Sequence, residues 1–167
     1  MINRSTDGKQ RVLSLSYGKD SLACLGAIEQ LGLPLDRIVH AEVWATDTIQ
    51  ADLPPMVEFK AKADAIIKER WGFEVEHIRA SYCRGSANPT FEKIFYQTRK
   101  SGKYTSSLVG FPMSLAHWCQ DLKNNAVKEA NAVKGIRYIG IATPEPNRFH
   151  NISERQISPL VEIGWTE

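Results

Sequence analysis

Between Arg11 and Ser16 the sequence runs Arg-Val-Leu-Ser-Leu-Ser and then meets Gly18, a pattern that predicts a strand closing on a tight turn. From Asp20 the period changes. Leu22, Leu25, Ile28 and Leu31 recur at helical spacing, and Gly32 with Pro34 predicts the stop. Ile38 to Ala45 reads as a second strand leading into Thr46, Asp47 and Thr48. Pro54 and Pro55 suit a helical first turn, so the next helix runs to Arg70 with Val57, Ala61, Ala65 and Ile66 towards the core. Phe73 to Arg79 predicts a third strand, Trp118 to Val133 a helix, and Ile136 to Ala142 a fourth strand. Residues 84–117 lack a clear period, and Gly85, Pro89, Gly102, Gly110 and Pro112 punctuate them.

Strands that alternate with helices need crossover connections of about a dozen residues or more. The pattern therefore predicts an α/β fold: one domain over 1–167, with a doubly wound, mostly parallel, Rossmann-like sheet and helices on both faces. Residues 84–117 form an irregular basic and aromatic insertion or lid within it. Such sheets bind ligands outside the carboxyl ends of their strands. Ser16–Ser21, Thr46–Thr48 and Thr143–Arg148 all follow predicted strand ends, so the candidate chemistry converges on one edge.

Ser16-Tyr17-Gly18-Lys19-Asp20-Ser21 joins a strand to a helix start. The first amides of a helix lack internal partners and its dipole favours negative charge there, so this is an anion site in outline. Gly18 permits close backbone approach; Ser16 and Ser21 bring hydroxyls, Lys19 a mobile cation, and Asp20 a magnesium contact or a helix cap. The spacing matches neither the Walker loop nor the dinucleotide G-x-G-x-x-G. An ordinary capped helix start is the structural alternative.

The same six residues resemble the PP-loop, S-G-G-K-D-S, of the ATP pyrophosphatases and of the phosphoadenosine phosphosulfate (PAPS) reductase family. Tyr17 replaces the usual first glycine, as a bulkier residue often does in members that handle sulfonucleotides. Further likenesses follow in order. Asp47-Thr48 resembles the family's D-T, Trp118–Lys123 its W-C-x-x-x-L/K helix start, Gly140–Arg148 its G-x-R/A-x-x-E-x-x-R turn, and Ser158–Glu167 its P-L-x-x-W-T-E element. Together they span nearly the whole chain.

The resemblance implies an adenine nucleotide alpha hydrolase-like fold that binds ATP, adenylyl sulfate or PAPS. Ser16, Tyr17, Gly18, Lys19, Asp20 and Ser21 would hold the phosphates, with Asp47 and Thr48 beside the nucleotide and Lys123 and Arg148 near its anionic end. Lys19, Asp20 and Arg148 are the catalytic candidates, and Asp20 is the ligand for Mg2+. Surface roles are the alternatives for Lys123 and Arg148. Reductases of the family attack the sulfonate with a cysteine in E-C-G-x-H, a motif these 167 residues do not contain. Cys119, at a helix start that lowers a thiol pKa, is the remaining nucleophile candidate, with a structural role beside Trp118 as the alternative; Cys24 reads as core. Enzymatic activity stays open between sulfonucleotide chemistry with a thioredoxin-like reductant, ATP-dependent adenylation of an acceptor as in nucleic-acid thiolation, and nucleotide binding without turnover. Family members often form homodimers, and compact forms resemble proteins carried by phages and mobile elements.

Composition narrows these readings only slightly. A net charge of +2 leaves any attraction for phosphate to local groups. Three scattered cysteines without a CxxC pair argue against zinc, an iron–sulfur cluster or a disulfide framework, and fit a cytoplasmic setting. No apolar run approaches the roughly 20 residues that cross a bilayer. Phe91, Phe95, Tyr96 and Tyr104 interleave with Lys93, Arg99, Lys100 and Lys103, as in grooves that stack nucleic-acid bases. An amphipathic helix with its aromatics in the core explains the same pattern. His117 and His150 stand without metal-ligand spacing.

Overall fold

Among the described residues of the structure, a computed structural model, the chain forms β1 (Gln10–Ser14), α1 (Lys19–Leu31), β2 (Arg37–Ala41), α2 (Pro54–Trp71) and β3 (Val75–Ile78). There follow β4 (Tyr82–Cys83), β5 (Ser86–Ala87), α3 (Phe91–Phe95), α4 (Trp118–Ala130), β6 (Gly135–Tyr138), β7 (Gln156–Ile157) and α5 (Pro159–Glu162). The described residues are 2–83, 85–100, 102, 105–108, 118–130, 135–142 and 153–165, with the backbone alone for Trp118 and Cys119.

Five strands make one sheet in the order β3-β2-β1-β6-β7, and every neighbouring pair is parallel. The expected α/β fold with a parallel sheet is therefore present. The chain steps outward from β1 to β3, then returns to the other side of β1. Right-handed crossovers place the helices of those two legs on opposite faces. Accordingly Leu25 and Ile28 of α1 and Ile67 of α2 pack with Leu13, Leu15, Ile38 and Tyr138 on one face, where Leu160 of α5, beyond the last strand, joins them. Ala126 and Val127 of α4 meet Ala41 and Ile78 on the other. Each fully buried Leu or Ile contributes about 1.5–3 kcal/mol, so the first face carries most of the core.

α1 ends where expected: Gly32 adopts the left-handed conformation (φ 64°) and its amide bonds back to Glu29 and Ile28. α2 departs from expectation in its orientation. Val57 and Ile66 are 41% and 57% exposed, and Ala61 and Ala65 also face outward. The inward stripe is Lys60, Ala63, Asp64, Ile67 and Trp71. Two charged side chains hold inward positions because His40 of β2 and Asp52 bond Lys60 while His77 of β3 and Tyr17 bond Asp64, which periodicity alone does not reveal.

The described residues between 85 and 100 hold more regular structure than their sequence implies. β4 and β5 form an antiparallel hairpin, and Thr90, buried, caps α3 by accepting the Lys93 amide at 3.1 Å. Ile94, rather than the aromatics, is the buried anchor of α3; Phe91 is half-buried and Tyr96 is 64% exposed. Tyr104 and Lys103 lie outside the described residues. No helix among the described residues is long and apolar enough to cross a membrane.

Candidate functional site

The strand order reverses at β1 and β6, because β1 leads away to β2 while β6 leads away to β7. A crevice opens at such a switch point beyond the carboxyl ends of the strands. Here it is a cavity of about 350 Å³ between the sheet and α4. Ser14, Ser16 and Ser21 line it from the β1 side, Val39 and Ala41 from β2, Arg137 and Gly140 from β6 and its continuation, and Gln120, Lys123 and Asn124 from α4.

The loop at its rim is organised around one hydroxyl. Ser21 Oγ accepts the Ser16 amide at 3.1 Å, lies 3.0 Å from Ser16 Oγ and donates to the Gly18 carbonyl at 2.9 Å. Gly18 is the N-cap of α1 and no side chain caps that helix end. A helix N-terminus uncapped by side chains and set against a cavity is the arrangement that receives an anion. Gly18 and Lys19 are exposed and Asp20 is half-buried at the start of α1.

Gly140 fixes the other side of this rim. A β-carbon there would stand 2.7 Å from the Ser21 nitrogen and 2.8 Å from the Asp20 carbonyl carbon. Only glycine lets the end of β6 touch the first turn of α1. The packing locks the loop to the neighbouring strand.

Tyr17 adopts a left-handed backbone conformation, φ 59°, which in a non-glycine residue costs about 1–3 kcal/mol. Its ring turns away from the cavity into the opposite face, 5% exposed. The phenol donates to Asp64 and lies 3.2 Å from His77 Nε2; the ring stands edge-on to His40, with centroids 4.7 Å apart. Burial, seconded by the Asp64 carboxylate, pushes the phenol pKa well above its usual value. Tyr17 therefore braces the loop from behind, with its side chain on the face away from the cavity.

Beneath it lies a polar cluster. His40 Nδ1 donates to the Leu15 carbonyl at 2.9 Å, which leaves Nε2 to accept from Lys60 Nζ at 2.7 Å. Lys60 also donates to Asp52 at 2.5 Å. Burial pulls the His40 pKa down to about 4, and the Lys60 ammonium adds to the effect. His77 places its two ring nitrogens 2.9 Å from Glu42 and from Asp64.

The other expected residues divide. Lys123 lines the cavity. Asp47 does not: its exposed carboxylate takes Lys93 at 2.6 Å and Arg79 at 3.7 Å, and the Lys93 ammonium holds its pKa below the usual range. Thr48 sits in the adjacent turn, with its amide donating to Thr46 Oγ1 at 3.3 Å. The structure does not bring these two to the cavity, and no described residue of the 84–117 insertion lines it. Arg148 and the Thr143–Arg148 turn lie outside the described residues, as does the Cys119 side chain. Cys24 is fully buried as expected, and burial pushes its thiol up to about 12. Trp165 packs on Gly26 of α1, so this part of the C-terminal element supports the helix behind the loop.

Ser14, Arg137, Gln120 and Asn124 were not anticipated. Arg137 had a visible signal: a charged residue inside Ile136–Ile139, in a strand whose parallel neighbours predict burial on both faces. Among the described residues no three His, Cys, Asp or Glu side chains stand together as metal ligands. Asp20, in the first turn of α1, offers one carboxylate beside the loop, which fits magnesium, a cation that keeps its waters and takes phosphate oxygens as further ligands. No protein-family model, curated protein or solved structure matches the chain.

Proposed function

We propose that the protein binds an adenine nucleotide, with its phosphates on the Ser16–Ser21 loop and its remainder in the cavity under α4. One observation carries this reading: the uncapped start of α1, shaped by the Ser21 hydroxyl and held by Gly140, opens into a cavity at the switch point of a parallel sheet. The order of motifs that resemble the PAPS reductase and PP-loop pyrophosphatase families supports adenine as the base and sulfur-related nucleotide chemistry as the setting. Ser16, Gly18, Lys19 and Ser21 would contact phosphate and Lys123 would face it from α4. Magnesium held by Asp20 would neutralise charge on a departing pyrophosphate. In that chemistry the protein mainly positions the reactants and stabilises developing charge, for which Lys19 is suited.

Calorimetric titration with ATP, adenylyl sulfate and PAPS, with and without magnesium, tests the proposal. Binding of at least one, lost at least tenfold in Lys19→Met, is the expected result. A chain that binds none of them contradicts it. Preference for PAPS or adenylyl sulfate would select sulfonucleotide chemistry, and preference for magnesium-ATP would select adenylation.

A further inference from the structure

Two residues that line the cavity each carry a buried polar atom without a hydrogen-bond partner among the described residues. The atoms are Arg137 Nε and Ser14 Oγ. They belong to adjacent strands: Val12 pairs with Arg137, so Ser14 stands two residues further along β1 on the same face of the sheet. Two residues of strand are about 7 Å, within reach of an arginine side chain.

Arg137 forms no ion pair among the described residues, and burial alone lowers its pKa, with no carboxylate to oppose it. Arg79 also has an unpartnered Nε, but its Nη2 donates to the Asn88 carbonyl and faces Asp47. Among the described residues Arg137 has no comparable compensation. A half-buried cation with no counterion among the described residues carries a desolvation cost, and a hydroxyl left without a partner adds to it. The polar side chains lining the cavity are Ser14, Ser16, Ser21, Gln120, Lys123, Asn124 and Arg137, with His40 reaching its edge; no Asp or Glu is among the described lining residues. The charged side chains among the described lining residues, Lys123 and Arg137, are both cations.

We infer that Arg137 and Ser14 form a second oxyanion subsite in the cavity, distinct from the Ser16–Ser21 loop and selective for a phosphate or sulfate group. A guanidinium presents paired donors that match two oxygens of such a group, and the serine hydroxyl supplies a third donor. The group has two sources: a second anionic substituent of the bound nucleotide, or a free inorganic oxyanion. The subsite shares the cavity of the proposed nucleotide site but stands on its own observations.

Thermal unfolding and calorimetry with inorganic phosphate, inorganic sulfate, AMP and adenosine 3′,5′-bisphosphate test it, on the wild type, Arg137→Met, Ser14→Val and Ser21→Ala. In anion-free buffer Arg137→Met is expected to melt no lower than wild type, because it removes a half-buried charge that has no ion pair among the described residues. Phosphate or sulfate should stabilise the wild type and Ser21→Ala, and bind at least tenfold more weakly to Arg137→Met and severalfold more weakly to Ser14→Val. If Arg137→Met does not fold, Arg137→Lys retains the charge, and the Ser14→Val result still decides. A nucleotide source predicts at least tenfold tighter binding of the bisphosphate than of AMP, a preference that Arg137→Met abolishes. Equal nucleotide affinities with an Arg137-dependent inorganic anion indicate the free source. Anion effects that are absent, or indifferent to both Arg137 and Ser14, overturn the subsite. Failure of every adenine nucleotide to bind sinks the nucleotide reading alone.

Discussion

Gly140 lies directly against the backbone of Ser21, so close that a β-carbon would approach the Ser21 nitrogen to 2.7 Å. Backbone on both sides of that contact leaves no flexible side chain to yield. Gly140→Ala is therefore expected to destabilise the protein by about 2 kcal/mol and to displace the loop as well. In a chain of this size that corresponds to a melting temperature lowered by roughly 4–8 °C. Calorimetric unfolding together with nucleotide titration checks both effects; an unchanged melting temperature and affinity would refute the assigned contact.

Ser21 acts on the same loop through its hydroxyl, which meets the Ser16 amide, the Ser16 hydroxyl and the Gly18 carbonyl. Removing it in Ser21→Ala should cost about 1–2 kcal/mol of stability. Nucleotide affinity should fall at least tenfold, since the loop loses its organising centre. A stability loss with full affinity would mean that the phosphates sit elsewhere.

Tyr17 braces the loop from the opposite face. Tyr17→Phe keeps the ring against His40 but strips Asp64 of its phenol donor, which is expected to cost about 1–3 kcal/mol in urea unfolding. The double variant with Asp64→Asn should lose less than the sum of the two single changes, because the residues share one interaction. Strict additivity would show that the hydrogen bond contributes nothing.

His40 makes stability depend on pH. Its folded pKa of about 4 lies below the ordinary value near 6.5, so the unfolded chain binds the proton more readily. The stability contribution is complete above about pH 6.5 and declines as pH falls towards 4, by roughly 2–3 kcal/mol across the whole window. Denaturant unfolding at pH 7, 6 and 5 should show this decline in the wild type and a flatter profile in His40→Gln. Equal slopes would remove His40 as the cause.

The strand–loop–helix unit at Ser16–Ser21 was legible in the sequence because three signals coincide there: a change of period, a glycine and a polar turn. α2 was legible in extent and not in orientation. Lys60 and Asp64 read as solvent-facing until the partners that bury them, His40 and Tyr17, are known. β4, β5 and β7 span two residues each, too short to show any period. Asp47 followed a strand end as a ligand residue would, yet Lys93, 46 positions later, claims its carboxylate. Arg137 was visible as an anomaly inside an apolar strand, but only the sheet order reveals what that side chain faces.

The pairing of β1 with β6 joins Gln10–Leu13 to Gly135–Tyr138, segments from opposite halves of the chain. The phosphate loop is thus local in sequence but acquires its fixed shape only when β6 has docked beside it. Such long-range closures come late and slowly in folding. A ligand in the cavity would act as a clasp across that seam, because it meets finished geometry from both halves and gains nothing from the unfolded chain. Opening of β6 and release of the ligand would then be one event, and the lifetime of the bound state would set how long the central seam stays shut.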